Sequence, residues 1–199
     1  MTLLAIMLSM IAGIVLAYTG VLPASWSETF SELPFYCLCV VLAVVGYGIG
    51  KDKEALRTLL KGNRYCILVP LGTVIGTIVG GFVAGIALNM AVRESMAVAG
   101  GFGWYTYSAV YLTEAHSPDL GAIAFLSNVS REVLAIFAMP LVIRIAGRYS
   151  AVSMGGATTM DVTLPIIIKY AGSQAGVVAF IHGVILSVLV PILLPVILG

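Results

Sequence analysis

Charge is what this sequence has least of. Of its 199 residues only 10% are charged and 60% are hydrophobic, with a mean hydropathy of +1.09. A soluble domain carries about 25% charged residues, so this chain could not cover its surface with polar groups in water. A bilayer removes that demand, because the outer surface then faces hydrocarbon. The net charge of +1 leaves no basic surface for nucleic acid. Cysteine is scarce as well: Cys37, Cys39 and Cys66 lack metal spacing with either histidine, so they read as small apolar helix residues and no metal or cofactor is implied. No G-x-S-x-G element and no second catalytic aspartate motif occurs. Catalytic residues are therefore not assigned, and the chain is read as something other than an enzyme.

What is present is apolar length. Five runs at about 2–22, 33–49, 65–88, 120–145 and 175–198 are long enough to span a membrane. The fold class is thus all-α: one polytopic integral membrane domain covering residues 1–199. The first run lacks a basic flank and a cleavage site, and reads as a retained span. The connector from Lys51 to Arg64 is basic, whereas the loop at 23–32 has Glu28 and Glu32 and no Lys or Arg. Cytoplasmic loops collect positive charge, so the connector and the N-terminus are expected inside.

Two further segments, 92–115 and 150–172, are broken by glycine and polar residues. The first contains Gly100, Gly101 and Gly103, and the second Gly155 and Gly156. If both dip in and return as re-entrant hairpins, Arg144, Arg148 and Lys169 fall on the cytoplasmic side, with Arg93 outside and Arg131 at membrane depth. Full crossings would place Arg144 and Arg148 outside. The hairpins would then enter from opposite faces, the pattern of an inverted repeat whose broken helices meet near the midplane. The competing explanation for the glycines is close helix packing.

The residues able to carry chemistry cluster in three places. Arg131 and Glu132 lie within an apolar run, where a charge costs about 2.5–3.5 kcal/mol and normally faces a cavity and a partner; Asn128 lies near the same helix face. They fit either a transport site or a salt-bridge node between helices. Asp161, with Thr158, Thr159, Thr163 and Pro165 around it, suits an unwound tip that aims hydroxyls and one negative charge at a cation, or an N-cap for a helix starting near Val162. Trp104 and Tyr105 could offer ring faces to an ammonium group, while Tyr107 and Tyr111 read as interfacial anchors. His182 could relay protons or pack as a hydrogen-bonded histidine; His116 reads as a loop residue.

These motifs resemble the bacterial lysine exporter family LysO, once a membrane domain of unknown function. The carrying residues are Gly101-Phe-Gly-Trp-Tyr105, Asn128-Val-Ser-Arg-Glu132, Gly155-Gly-Ala-Thr-Thr-Met-Asp161 with Thr163-Leu-Pro165, and Ala179 to Ser187 with Val190-Pro191. Residues before Gly100 match only as hydrophobic spans with a basic connector. The resemblance implies a transporter of the bacterial inner membrane that exports L-lysine and toxic lysine analogues as an antiporter, in exchange for protons, with membrane-embedded acids taking part. Arg131, Glu132 and Asp161 match the family pattern directly. The sequence departs from it in lacking an acid just after Asn128. It also departs in beginning after an N-terminal membrane module that longer relatives carry. A separately encoded small membrane subunit, or a homodimer, is the expected substitute for that module. A passive channel or structural membrane subunit is the alternative class, followed by an intramembrane protease using Asp161 or a serine with His182.

Overall fold

The computed structural model describes residues 64–199 and a few isolated positions before them. The chain divides into two units, Met1–Val45 and Gly46–Gly199, and every element below belongs to the second. The spans expected at 2–22 and 33–49, the loop at 23–32, the N-terminal orientation and nearly all of the basic connector lie outside the described residues. Cys37 and Cys39 lie there too.

The described part is helical, with no strand among its elements. It comprises α1 (Tyr65–Ala87), α2 (Val92–Ala99), α3 (Tyr105–Ala115), α4 (Pro118–Ala146), α5 (Arg148–Gly155), a short 3-10 helix (Gly156–Met160), α6 (Leu164–Ala171) and α7 (Ser173–Leu198). Local chemistry sets several of these ends. Ser117 caps α4, its hydroxyl accepting from the Leu120 N–H at 3.2 Å, with Pro118 in the first turn and Asp119 beside the positive helix end. Gly147 and Gly172, each with φ of +86°, stop α4 and α6. Helix α6 begins at Leu164 with Thr163 at its cap position, so Asp161 sits in the turn before the helix and is not its N-cap.

Side-chain contacts fix the direction of each element. The rings of Tyr65 and Tyr149 stack with centroids 4.2 Å apart, so α4 ends and α5 begins at the end of the bundle where α1 starts. At the opposite end, Glu94 near the start of α2 pairs with His116 just past α3 at 2.9 Å. The two limbs of the first hairpin therefore enter and leave together at the Ala87 end. Position 176, near the start of α7, packs on Ile168 of α6, and Gly199 lies beside Arg93, so α7 runs from the Tyr65 end to the Ala87 end. The second hairpin, α5 to α6, thus opens at the Tyr65 end. Helices α1, α4 and α7 alternate in direction, and one hairpin enters from each end.

The charges separate in the same way. Arg64, Arg144, Arg148 and Lys169 sit at the Tyr65 end, while Arg93, Glu94, Glu114 and Asp119 sit at the Ala87 end. His116, expected in a loop, lies in the turn after α3 and pairs with Glu94.

Helices α1 and α7 are long and apolar enough to cross a membrane. One face of α1 is buried through Val69, Thr73, Gly81 and Gly85, yet its other face leaves Leu71, Ile75, Val79, Phe82 and Ile86 exposed. A helix apolar on every side suits hydrocarbon better than water. Helix α4, at 29 residues, is longer than either but carries Arg131 and Glu132 at its middle.

The hairpin tips meet at the centre. The N–H of Ala157 donates to the carbonyl of Phe102 at 2.8 Å. Phe102 is fully buried and adopts φ of +48°, unusual for a residue with a side chain. Gly156, with φ of +65°, lies so close that a Cβ there would strike the Phe102 carbonyl oxygen. Gly156→Ala is therefore expected to lower stability by more than the roughly 1–3 kcal/mol of backbone strain alone. Gly172→Ala, at similar φ but with open space around it, should cost only the strain. Thermal melting of the two variants in detergent, which should place G156A well below G172A, checks this.

Candidate functional site

The tips sit at the level where α4 and α7 each carry a buried polar residue. On α4 the inward face runs through Leu120, Ala124, Asn128, Ala135 and Met139. Glu132 follows Asn128 by one turn and falls close to that face, half-buried. Asp161, also half-buried, lies in the turn after the 3-10 helix, where one carboxylate oxygen accepts from the N–H of Val162. The charge of the Asp161 carboxylate reaches Glu132, and the Tyr105 phenol lies within the field of both. Three residues far apart in sequence thus share one electrostatic neighbourhood beside the joined tips. Tyr105 is steadied by Phe125, whose ring meets it edge-on at 5.5 Å.

Arg131 is placed differently. Its Nε donates to the Met154 carbonyl and one terminal nitrogen to the Ser153 carbonyl, both at 3.2 Å, while the other reaches the Thr77 hydroxyl at 3.4 Å. The guanidinium therefore caps the C-terminal end of α5, where the last carbonyls lack helical partners and the helix dipole is negative. It also borders a groove of about 460 Å³ lined by Ser127, Ser130, Leu134 and Met154. It forms no ion pair with Glu132 or Asp161 among the described residues.

The three threonines turn inward. All are buried, and each hydroxyl donates to a backbone carbonyl of the tip: Thr158 to Gly155 and Thr159 to Gly156 at 2.8 Å, Thr163 to Thr158 at 3.0 Å. They shape the loop that presents Asp161. His182 is wholly buried, with Nδ1 2.9 Å from the Thr159 hydroxyl and Nε2 2.9 Å from that of Thr73. Asn128 takes the Gly103 N–H at 2.7 Å and donates to the Val98 carbonyl at 3.1 Å. Trp104 packs on the core with its ring 5.2 Å from Tyr107, and Tyr107 stacks on Tyr111. Of the hairpin glycines, Gly100, Gly101, Gly103, Gly155 and Gly156 all lie in or beside the two tips and all are buried. Thr73 and Thr77 did not stand out in the sequence; a hydroxyl every fourth residue along an otherwise apolar helix is the signal that could have found them.

Residues 7–198 match the family model described as "Lysine exporter LysO". The chain belongs to this family. It is similar to the Escherichia coli protein named "Lysine exporter LysO", 32% identical over 157 residues, which cover 79% of this chain and 52% of that relative. The chain thus spans about half the length of the E. coli protein. It is also similar to a "Putative lysine exporter" of Haemophilus influenzae, 32% identical over 177 residues covering 89% of this chain and 88% of the relative. No solved structure matches it.

The placement of Arg131 makes a stability prediction. Arg131→Met removes the donors that cap α5 and is expected to cost about 1–3 kcal/mol, the penalty of buried polar groups left without partners. Arg131→Lys should recover little of it, since an ammonium cannot reproduce the planar fork across two carbonyls. Thermal melting of both variants in detergent measures the difference.

Proposed function

We propose that this chain is a membrane transporter that exports L-lysine, and lysine analogues, across the bacterial inner membrane in exchange for protons. The observation that carries the reading is the convergence of Glu132, Asp161 and Tyr105 where two broken helices meet, midway along α4 and α7. The names of the relatives in E. coli and H. influenzae point to the same substrate.

On this reading α1, α4 and α7 cross the bilayer and the two hairpins are re-entrant, one from each face. Neither limb of a hairpin can cross alone, because the eight residues of α2 or α5 reach only about 12 Å of a hydrocarbon core about 30 Å thick. The Tyr65 end, with Arg64, Arg144, Arg148 and Lys169, faces the cytoplasm.

Glu132 and Asp161 form one acid site that holds either the lysine ammonium or protons. The cations compete for the same oxygens, so release of one accompanies arrival of the other, provided a carboxylate titrates near the working pH. Tyr105 completes the wall. Because Arg131 is engaged by the end of α5, the lysine carboxylate is met by the N-terminal end of α3 or α6, both of which start at the tips and present positive dipole ends there.

Counterflow of labelled lysine into proteoliposomes, with and without a pH gradient, tests substrate and coupling together. Protein-dependent flux should be driven by an opposed proton gradient and lost when an ionophore dissipates it. Asp161→Asn and Glu132→Gln should each reduce flux to that of protein-free vesicles while melting like the parent. Lysine flux at the parent rate from Asp161→Asn would overturn the reading.

A further inference from the structure

The glycine pairs that begin at Gly100 and Gly155 are 55 residues apart, and Asn128 and His182 are 54 residues apart. Both polar residues lie on the long helix that follows a hairpin, at the depth of that hairpin's tip. Asn128 is 2% exposed and His182 not at all. Each holds the tip of the hairpin before it: Asn128 through the Gly103 N–H, the Val98 carbonyl and, at 3.4 Å, the Ser108 hydroxyl; His182 through the Thr159 hydroxyl. Each is accompanied by a glycine that lets helix and tip touch. A Cβ on Gly101 would lie 2.8 Å from the Asn128 amide nitrogen, and one on Gly183 would strike the Met160 nitrogen. The two hairpin-and-helix units thus use different side chains for one task.

We propose that Asn128 and His182 are equivalent positioning residues, one in each hairpin-and-helix unit, that hold the two hairpin tips and so set where the Glu132–Asp161 site is assembled. The inference rests on the acid site proposed above.

Counting hydrogens shows what the histidine must supply. The Thr159 and Thr73 hydroxyls each have a carbonyl acceptor at 2.8 Å, on Gly156 and Val69, and each also faces a ring nitrogen. A neutral ring brings one N–H. One threonine can then donate to its carbonyl and accept from the ring, while the other turns its hydrogen to the bare nitrogen. The task is one donor and one acceptor on a rigid group between two hydroxyls. A glutamine amide can do it, although it cannot take up a proton as imidazole can.

That difference supplies the test. In His182→Leu, hydrogen–deuterium exchange of the 156–163 backbone should accelerate about tenfold, the effect of losing roughly one net hydrogen bond. The KM for lysine should rise by a similar factor with the maximal rate less affected. Thr159→Val, which breaks the same contact from the hairpin side, should behave alike, and it serves if the leucine variant does not fold. His182→Gln should restore slow exchange and KM to within about threefold and keep the parent's pH profile. Asn128→Leu should accelerate exchange at 98–103 in the same way. Parent-like exchange in both His182→Leu and Thr159→Val would overturn the proposal. So would parent-like KM in variants whose exchange is fast, or a His182→Gln protein that is protected yet has lost the pH profile, which would make His182 a proton carrier. The exchange measurement needs no substrate, so it stands even if the parent moves no lysine.

Discussion

The arrangement depends on one backbone hydrogen bond, from the Ala157 N–H to the Phe102 carbonyl, that joins two hairpins arriving from opposite ends of the bundle. Interrupting a helix at depth leaves N–H and C=O groups with no intrahelical partner, and lipid offers none. Here the loose ends answer one another. Phe102 accepts a left-handed conformation and Gly156 an even rarer one, because only that geometry brings the carbonyl of one tip to the N–H of the other. The carbonyls of Ser153, Met154, Gly155, Gly156 and Thr158, in and beside the second tip, are met by the Arg131 guanidinium and three threonine hydroxyls, and the first tip is held by Asn128. Beside these tips the charge of Asp161 reaches Glu132, and both carboxylates act on the Tyr105 phenol.

Much of this frame was legible in residue order. The glycine clusters marked both interruptions, and the placement of Arg144, Arg148 and Lys169 argued that the chain turns back at each one. Tyr65 beside Tyr149 and Glu94 beside His116 give the same directions. The use of individual polar residues was harder to read. Nothing in the order of residues says that Thr158, Thr159 and Thr163 turn toward carbonyls and not toward a cation, since a hydroxyl serves either equally well. Arg131 read as a charge in search of an anion, and it sits on the carbonyl end of a short helix whose boundary could not be placed from composition. The left-handed Phe102 had no signal at all, because that conformation is imposed by the partner tip.

The helix ends divide the work by sign. The C-terminal end of α5 is neutralised by Arg131, whereas α3 and α6 begin at the tips with their N-terminal ends turned inward. On the proposed reading, a zwitterion with an added positive charge would find two carboxylates and two positive dipole ends in one neighbourhood. A simple metal cation would have no use for the dipole ends.

The pairing of two acids also bears on electrical work. On the proposed exchange, lysine would leave with one net positive charge, and a site with two carboxylates would have room for two protons on the way back. A cycle run in that ratio carries one net charge inward, and a membrane potential then adds about 2.3 kcal/mol per 100 mV to the outward movement of lysine. A single carboxylate exchanging one proton for one lysine would be blind to voltage. In the proposed cycle the second acid would turn the potential itself into a source of drive for expelling a cation against its gradient.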